Sequence, residues 1–312
     1  MISRPVPGTQ FEITVPGSIA NLGPGFDVLA VAVQLYLRLQ VTVVPGRDEL
    51  NFTFVDQKLE GENYIERAFR FLARQNVTSF PSLKIDVCTD IPMRAGLGSS
   101  AAASVAGLRL YEALTGPLPS QALLNAACTL EGHPDNAAAA IFGGLTASCL
   151  LPDGSAYAAQ FRWPDTLKMI VLTPEYALAT SESRRVLPNV VARKDAIFNL
   201  QRMALLLQIL QTGNFALLRQ ALSDRLHQPY RQPLVPGLEL CVNLEHEDLL
   251  GACLSGAGPS IVAFAERNQE RVAKAIGDTY KLLGVPFQIR ILRAHQADAE
   301  LPQPNDANPV LV

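Results

Sequence analysis

The sequence predicts an α+β protein of two domains, and three observations carry that expectation. The chain opens on several short strands before any helix appears. A turn-rich break around Trp163-Pro164-Asp165 separates two sets of elements. Strands and helices do not alternate in the regular βαβ rhythm of a doubly wound sheet. A length of 312 residues also suits two domains. The expected division is an N-terminal domain over 1–165, a C-terminal domain over 166–295 and a loose tail over 296–312, where three prolines sit among polar residues.

Taken in order, Phe11 to Val15 alternates apolar and polar residues as a strand does. A turn-rich segment from Pro16 to Asp27 follows, then a β-rich stretch from Val28 to Val44 and a short strand at Asn51 to Val55. Short connections make the early strands mostly antiparallel. Asn63 to Gln75 places Tyr64, Ile65, Ala68, Phe69, Phe71 and Leu72 on one helical face. Leu83 to Val87 returns to strand alternation. Ser100 to Leu114, Ser120 to Leu130 with Ser120 as N-cap, and the alanine-rich Asp135 to Phe142 read as helices, the last stopped by Gly143-Gly144. The second set starts at Leu167 to Leu172. It continues with helices at Asp195 to Leu210 and Phe215 to Leu222, and strands at Gly251 to Leu254 and Ser260 to Ala265. A helix at Gln269 to Leu283 and a strand at Phe287 to Leu292 end it.

Composition excludes several classes. The chain is 48% hydrophobic and 18% charged with net charge −3, so it can bury a core and lacks the basic excess of a nucleic-acid binder. No run of lysines and arginines suits a membrane surface, and no early apolar stretch approaches a bilayer span. The first ten residues lack the apolar core of a signal peptide. The five cysteines are scattered without CxxC spacing, which argues against zinc and for reduced thiols in a cytoplasmic protein.

The chemistry concentrates in the run Pro92-Met93-Arg94-Ala95-Gly96-Leu97-Gly98-Ser99-Ser100-Ala101-Ala102. A phosphate group needs several donors close together. Gly96 and Gly98 let the backbone approach, Ser99 and Ser100 add hydroxyls, and the following helix aims its positive end at the same point. Leu97 packs inward. The run is neither a Walker A loop, since Gly-Lys-Ser/Thr is absent, nor a dinucleotide fingerprint. Three further segments carry polar chemistry. Asn21 and Asp27 close the turn Asn21-Leu22-Gly23-Pro24-Gly25-Phe26-Asp27, where an amide and a carboxylate suit an ammonium and a hydroxyl. Glu131-Gly132-His133-Pro134-Asp135-Asn136 packs two carboxylates, a histidine and an amide into six residues. Leu254-Ser255-Gly256-Ala257-Gly258-Pro259-Ser260 is a second glycine turn, open to close ligand approach.

The glycine–serine run resembles the ATP-binding motif of the GHMP kinase superfamily. The Asn21–Asp27 and Glu131–Asn136 runs resemble its homoserine kinase family, over residues 11–293. Ser183-Arg184-Arg185-Val186-Leu187-Pro188, Asp195–Asn199 and His227-Gln228-Pro229-Tyr230-Arg231 add support. The resemblance implies an N-terminal ribosomal-protein-S5-like domain with a left-handed βαβ unit and a ferredoxin-like C-terminal domain. It implies an ATP-dependent phosphotransferase with an alcohol acceptor, L-homoserine, in L-threonine biosynthesis, working as a homodimer.

By the same resemblance Arg184 and Arg231 clamp the substrate carboxylate. The residues alone do not choose between Arg184 and its neighbour Arg185. Asp27 meets the ammonium, with Asn21, His133 and Gly256 completing the pocket. Phosphoryl transfer calls for Mg2+, with Glu131 as ligand joined by Ser99 or Ser100. Asp135 or Asn136 orients the hydroxyl, and adenine sits near Asn63 and residues 88–92. Two rival readings compete: a related kinase acting on a sugar, mevalonate or shikimate, and a catalytically silent ligand sensor.

Overall fold

The computed structural model describes residues 5–55, 61–76 and 78–298. Its frame is two β-sheets that divide the chain between Phe161 and Lys168. The first sheet is six-stranded, with order β3-β4-β2-β5-β6 and β1 paired to β2. Its strands are β1 (Gln10–Ala20), β2 (Leu29–Arg47), β3 (Leu50–Phe54), β4 (Pro81–Thr89), β5 (Leu145–Leu150) and β6 (Ala156–Phe161). All pairings are antiparallel except β3 with β4, which are parallel and joined by helix α1 (Tyr64–Gln75). The second sheet has order β10-β7-β9-β8 and is antiparallel throughout. It comprises β7 (Lys168–Pro174), β8 (Gly251–Leu254), β9 (Ile261–Ala265) and β10 (Phe287–Leu292). That order is the ferredoxin-like one expected of the second domain.

Helices α2 (Ser99–Thr115), α3 (Ser120–Glu131) and α4 (Asp135–Phe142) cover the first sheet. Their small residues allow this close fit, and Ala101, Ala102, Ala106, Ala137, Ala138 and Ala139 are all buried. The second block carries α5 (Thr180–Arg185), α6 (Arg193–Thr212), α7 (Leu218–Ala221), α8 (Gln228–Arg231), α9 (Leu238–Val242) and α10 (Gln269–Lys281). One apolar cluster runs from β1 through the helices to Leu206, Leu222, Phe264 and Leu292, so both blocks share a core. Among the described residues no helix is long and apolar enough to cross a membrane.

Several sequence expectations need correction. The first strand does not stop at Val15. It continues through Pro16-Gly17-Ser18 to Ala20 by absorbing a bulge between Pro16 and Gly17, where β2 skips two residues. Ser120 is the first residue of α3, and Pro119 occupies the N-cap position. Strands β5 and β6 went unread because Thr146, Ser148 and the alanines of 156–159 break the apolar alternation. The helix expected over Phe215 to Leu222 is a 3-10 turn followed by the short α7.

The tail is also not loose at its start. Just ahead of it Ala294 pairs with Val33, and Gln296, its first residue, is buried against Trp163. Its Nε2 donates to Trp163 O (2.6 Å), and its Oε1 accepts from Trp163 N (3.2 Å). Residues 299–312 of the expected tail lie outside the described residues. Gln296→Ala strands both buried backbone groups of Trp163 and is expected to lower unfolding free energy by about 2 kcal/mol, read from urea denaturation.

Candidate active site

Three loops meet the start of α4 and the short helices α5 and α8. The loop after β1 is the most contorted. Asn21, Leu22 and Asp27 all adopt positive φ (72°, 45° and 55°), a conformation that L-residues seldom hold without outside restraint. Asn21 supplies the restraint. Its Nδ2 donates to Gly256 O (2.8 Å) and its Oδ1 accepts from Asp27 N (3.1 Å). The buried amide thus ties this loop to the second glycine turn, and both of its ends are committed.

The glycine–serine loop is fastened on its carbonyl side. Ala95 O accepts from Ser260 N (3.2 Å), Gly96 O from Ser255 Oγ (2.7 Å) and Leu97 O from Ser18 N (3.0 Å). In a planar trans peptide the carbonyl of one residue and the N–H of the next point in opposite directions. The N–H groups of Gly96, Leu97 and Gly98 therefore face away from the wall that holds their carbonyls. Helix α2 begins one residue later, adding its own unpaired N–H groups. Glycine is required at two positions: a Cβ on Gly96 would sit 2.3 Å from Ser255 O, and one on Gly98 would sit 2.2 Å from Ser18 Oγ, both at positive φ. Leu97 is buried as expected, whereas Met93, Arg94 and Ser100 are exposed. Pro92 and Ser99 are half-buried, and Ala101 and Ala102 pack inside α2.

Glu131 ends α3 beside this loop. Ser100 Oγ donates to its Oε2 (2.9 Å) and Ser104 Oγ to its Oε1 (2.6 Å), with Arg67 at 3.8 Å. Among the described residues Ser100 and Ser104, rather than Ser99, bond this carboxylate. Hard oxygen donors beside a phosphate-type loop fit a magnesium ion. Asn63, offered for adenine, caps α1, its side chain accepting from Ile65 N and Glu66 N. Asp90, in the neighbouring 88–92 segment, pairs with Arg38 (2.8 Å).

At the start of α4, His133 Nδ1 lies 2.5 Å from Asp135 Oδ1, which also accepts from Asn136 N (2.7 Å). An ionised carboxylate only accepts, so the imidazole proton sits on Nδ1. Burial opposes the charged imidazole, but the hydrogen bond and charge of Asp135 prevail and raise the His133 pKa. Asn136 Oδ1 accepts from Ser18 Oγ (2.8 Å), and its Nδ2 lies 3.5 Å from Asp135 Oδ1. Donor atoms of Asp27, His133 and Asp135 fall within 4.8 Å of one another. All three already hold partners: Asp27 pairs with Arg184, and His133 with Asp135.

Arg184, from α5, makes a two-pronged pair with Asp27 (2.7 and 3.0 Å). Arg231, ending α8, is 1% exposed and has no carboxylate within hydrogen-bond reach among the described residues. It donates to Ser183 O (3.3 Å), Gly256 O (3.0 Å) and His227 Nδ1 (3.2 Å). Its guanidinium lies over the Phe26 ring at 5.1 Å, with Arg184 at 5.6 Å from the same ring. Burial first, then the charge of Arg184, pushes the Arg231 pKa down to about 10, so it stays a cation at neutral pH.

The structure thus gathers Asn21, Asp27, His133, Asp135, Asn136, Arg184, Arg231 and Gly256 around one cleft. It sends Arg185 outward onto Ser181 O. Sequence reading gave no role to Phe26, His227, Ser18, Ser104, Ser183 or Ser255. His227 had one available signal, its spacing four residues before Arg231. Asp135→Asn removes the charge that offsets burial, so the His133 pKa is expected above 6.5 in the parent and below it in the variant. NMR titration of the imidazole measures both values.

Comparison with known proteins identifies the family. Residues 63–144 match the family model for the GHMP kinases N terminal domain and residues 205–282 that for the GHMP kinases C terminal. The chain is 38% identical to the homoserine kinase of Solibacter usitatus, over 88% of this chain and 91% of that protein. It is 41% identical to the homoserine kinase of Deinococcus radiodurans, over 84% of this chain and 86% of that protein. The crystal structure of homoserine kinase from Cytophaga hutchinsonii shares the fold with a TM-score of 0.82 at 22% identity, covering 92% of this chain and 96% of that one. The chain belongs to the homoserine kinase family of the GHMP kinases.

Proposed function

We propose that this chain transfers the terminal phosphoryl group of ATP to the side-chain hydroxyl of L-homoserine, giving O-phospho-L-homoserine and ADP, for L-threonine biosynthesis in the cytoplasm. The observation that carries the reading is the head-group site: two guanidiniums and one carboxylate converge on Phe26 beside the α4 start. A zwitterionic amino acid supplies the complementary carboxylate and ammonium. Arginine holds a carboxylate in fixed two-pronged geometry, and among the described residues no carboxylate is hydrogen-bonded to Arg231.

In the free protein Asp27 occupies Arg184 as a substrate carboxylate would. The Arg184 and Asp27 side chains are 37% and 34% exposed, so their pair is worth about 0–1 kcal/mol and opens at little cost. The incoming carboxylate takes Arg184 and Arg231, and the released Asp27 takes the ammonium. His133 and Gly256 border this head-group site, and Asn21 holds the Asp27 loop in place. The chain of the substrate then points its hydroxyl toward Asp135 and Asn136. Asn136 donates from Nδ2 to the hydroxyl oxygen, and Asp135 accepts the hydrogen bond of the hydroxyl. A loose transition state demands little early proton removal, so positioning dominates.

The outward N–H groups of Gly96, Leu97 and Gly98 and the α2 terminus hold the ATP phosphates. Glu131, with the Ser99 or Ser100 hydroxyl, would hold Mg2+, which when bound neutralises charge on the transferring phosphates. A shikimate or mevalonate acceptor would leave Asp27 without an ammonium, which favours the amino acid.

The test is a coupled assay of ADP release with ATP, Mg2+ and L-homoserine, run beside shikimate and mevalonate. Release with L-homoserine at least about a hundredfold above either rival, in kcat/KM, is expected. Equal activity on shikimate contradicts the reading. Asp135→Asn is expected to keep kcat within about tenfold of the parent, whereas an obligatory base is worth about 10²–10⁴.

A further inference from the structure

Behind the head-group site lies a buried histidine that the mechanism above leaves unused. His227 is fully buried, stacked on Phe26 at 5.2 Å with an interplanar angle of 21°. Its Nε2 lies 2.7 Å from Gly23 O and its Nδ1 lies 3.2 Å from Arg231 Nη1. A backbone carbonyl can only accept and a guanidinium can only donate. The two partners therefore assign the ring: Nε2 carries the hydrogen, Nδ1 carries a lone pair, and the imidazole is neutral. Burial also disfavours the charged ring.

Asp224 does not act as a base on this histidine. Its nearest oxygen is 3.6 Å from Nε2, beyond a hydrogen bond. Instead Asp224 Oδ2 accepts from His227 N (3.0 Å) and Gln228 N (2.7 Å), and Oδ1 accepts from Leu226 N (2.9 Å) and Asn199 Nδ2 (2.7 Å). Asp224 thereby fixes the backbone from which His227 and α8 start.

We propose that His227 is a positioning residue for the acceptor's carboxylate: its neutral Nδ1 holds the Arg231 guanidinium at the angle at which its remaining corner meets that carboxylate. Buried Arg231 needs an uncharged acceptor here. A carboxylate in the place of His227 would neutralise it and compete with the substrate. Two backbone carbonyls, Ser183 O and Gly256 O, already take other hydrogens of the guanidinium, and the His227 ring takes the one beside Gly256 O. The proposal rests on the reading that Arg231 binds the substrate carboxylate.

Two substitutions and one spectrum test it on the full chain. Asparagine places an oxygen near the Nδ1 position and keeps the acceptor; glutamine reaches the Nε2 position and keeps only the donor to Gly23. His227→Gln is expected to raise the KM for L-homoserine by about tenfold or more, the scale of one lost hydrogen bond to a charged group, with kcat and the KM for ATP within about threefold. His227→Asn is expected to stay within about threefold of the parent in all three constants. Equal KM effects in both variants, or a loss confined to kcat or to ATP, overturn the proposal. In the free parent protein, nitrogen NMR of the imidazole is expected to show the Nε2–H tautomer at neutral pH. An Nδ1–H or doubly protonated ring overturns the proposal whatever the acceptor is. Failure of the parent to use L-homoserine instead counts against the functional reading, with the tautomer still deciding the role of His227.

Discussion

The constraint on which the site depends is a buried guanidinium, Arg231, to which no carboxylate is hydrogen-bonded among the described residues. Taking Arg231 out of water costs several kcal/mol unless its donors are met. The fold meets them with groups that carry no net charge: two carbonyls, one imidazole lone pair and the face of Phe26. A carboxylate there would have been stronger and would have filled the site. Neutral partners leave the positive charge in place for a ligand. Arg184 is arranged in the opposite way, half exposed and paired with Asp27, a partner it can release.

Holding those partners in place explains much of the surrounding geometry. Gly256 O receives both Asn21 and Arg231, so one carbonyl joins the loop after β1 to α8. Asn21 then forces Asp27 into its positive-φ position opposite Arg184. Ser255, next in the chain, fastens the phosphate loop through Gly96 O. Head-group site and phosphate loop thus share the turn between β8 and β9, and a shift in one moves the other. Both sheets act as the platform from which these loops project.

The chemistry was more legible in the sequence than the shape. The phosphate loop announces itself by small residues and hydroxyls at fixed spacing, because close backbone approach leaves few alternatives. Helices α1, α4 and α6 follow from apolar spacing and glycine stops. Strands β5 and β6 were invisible, since alanines and buried hydroxyls take their place and packing decides there rather than pattern. Asn63, Asn21 and Ser99 mark a different limit. A polar side chain in a motif can serve the ligand or the backbone, and only the partner atoms separate the two: Asn63 caps a helix, Asn21 stitches two loops, and Ser100 with Ser104 holds Glu131. Gln296 hid within a proline-rich segment because its value lies in Trp163, far away in the chain.

The central claim is that opposite halves of one zwitterion replace the Asp27–Arg184 pair, while Arg231 waits unpaired. Calorimetric titration of the free protein with L-homoserine and with its deaminated analogue 4-hydroxybutanoate tests it most directly. The analogue must open the pair for its carboxylate yet strand Asp27, so it is expected to bind at least about tenfold more weakly. Equal affinity for the two ligands would contradict the account.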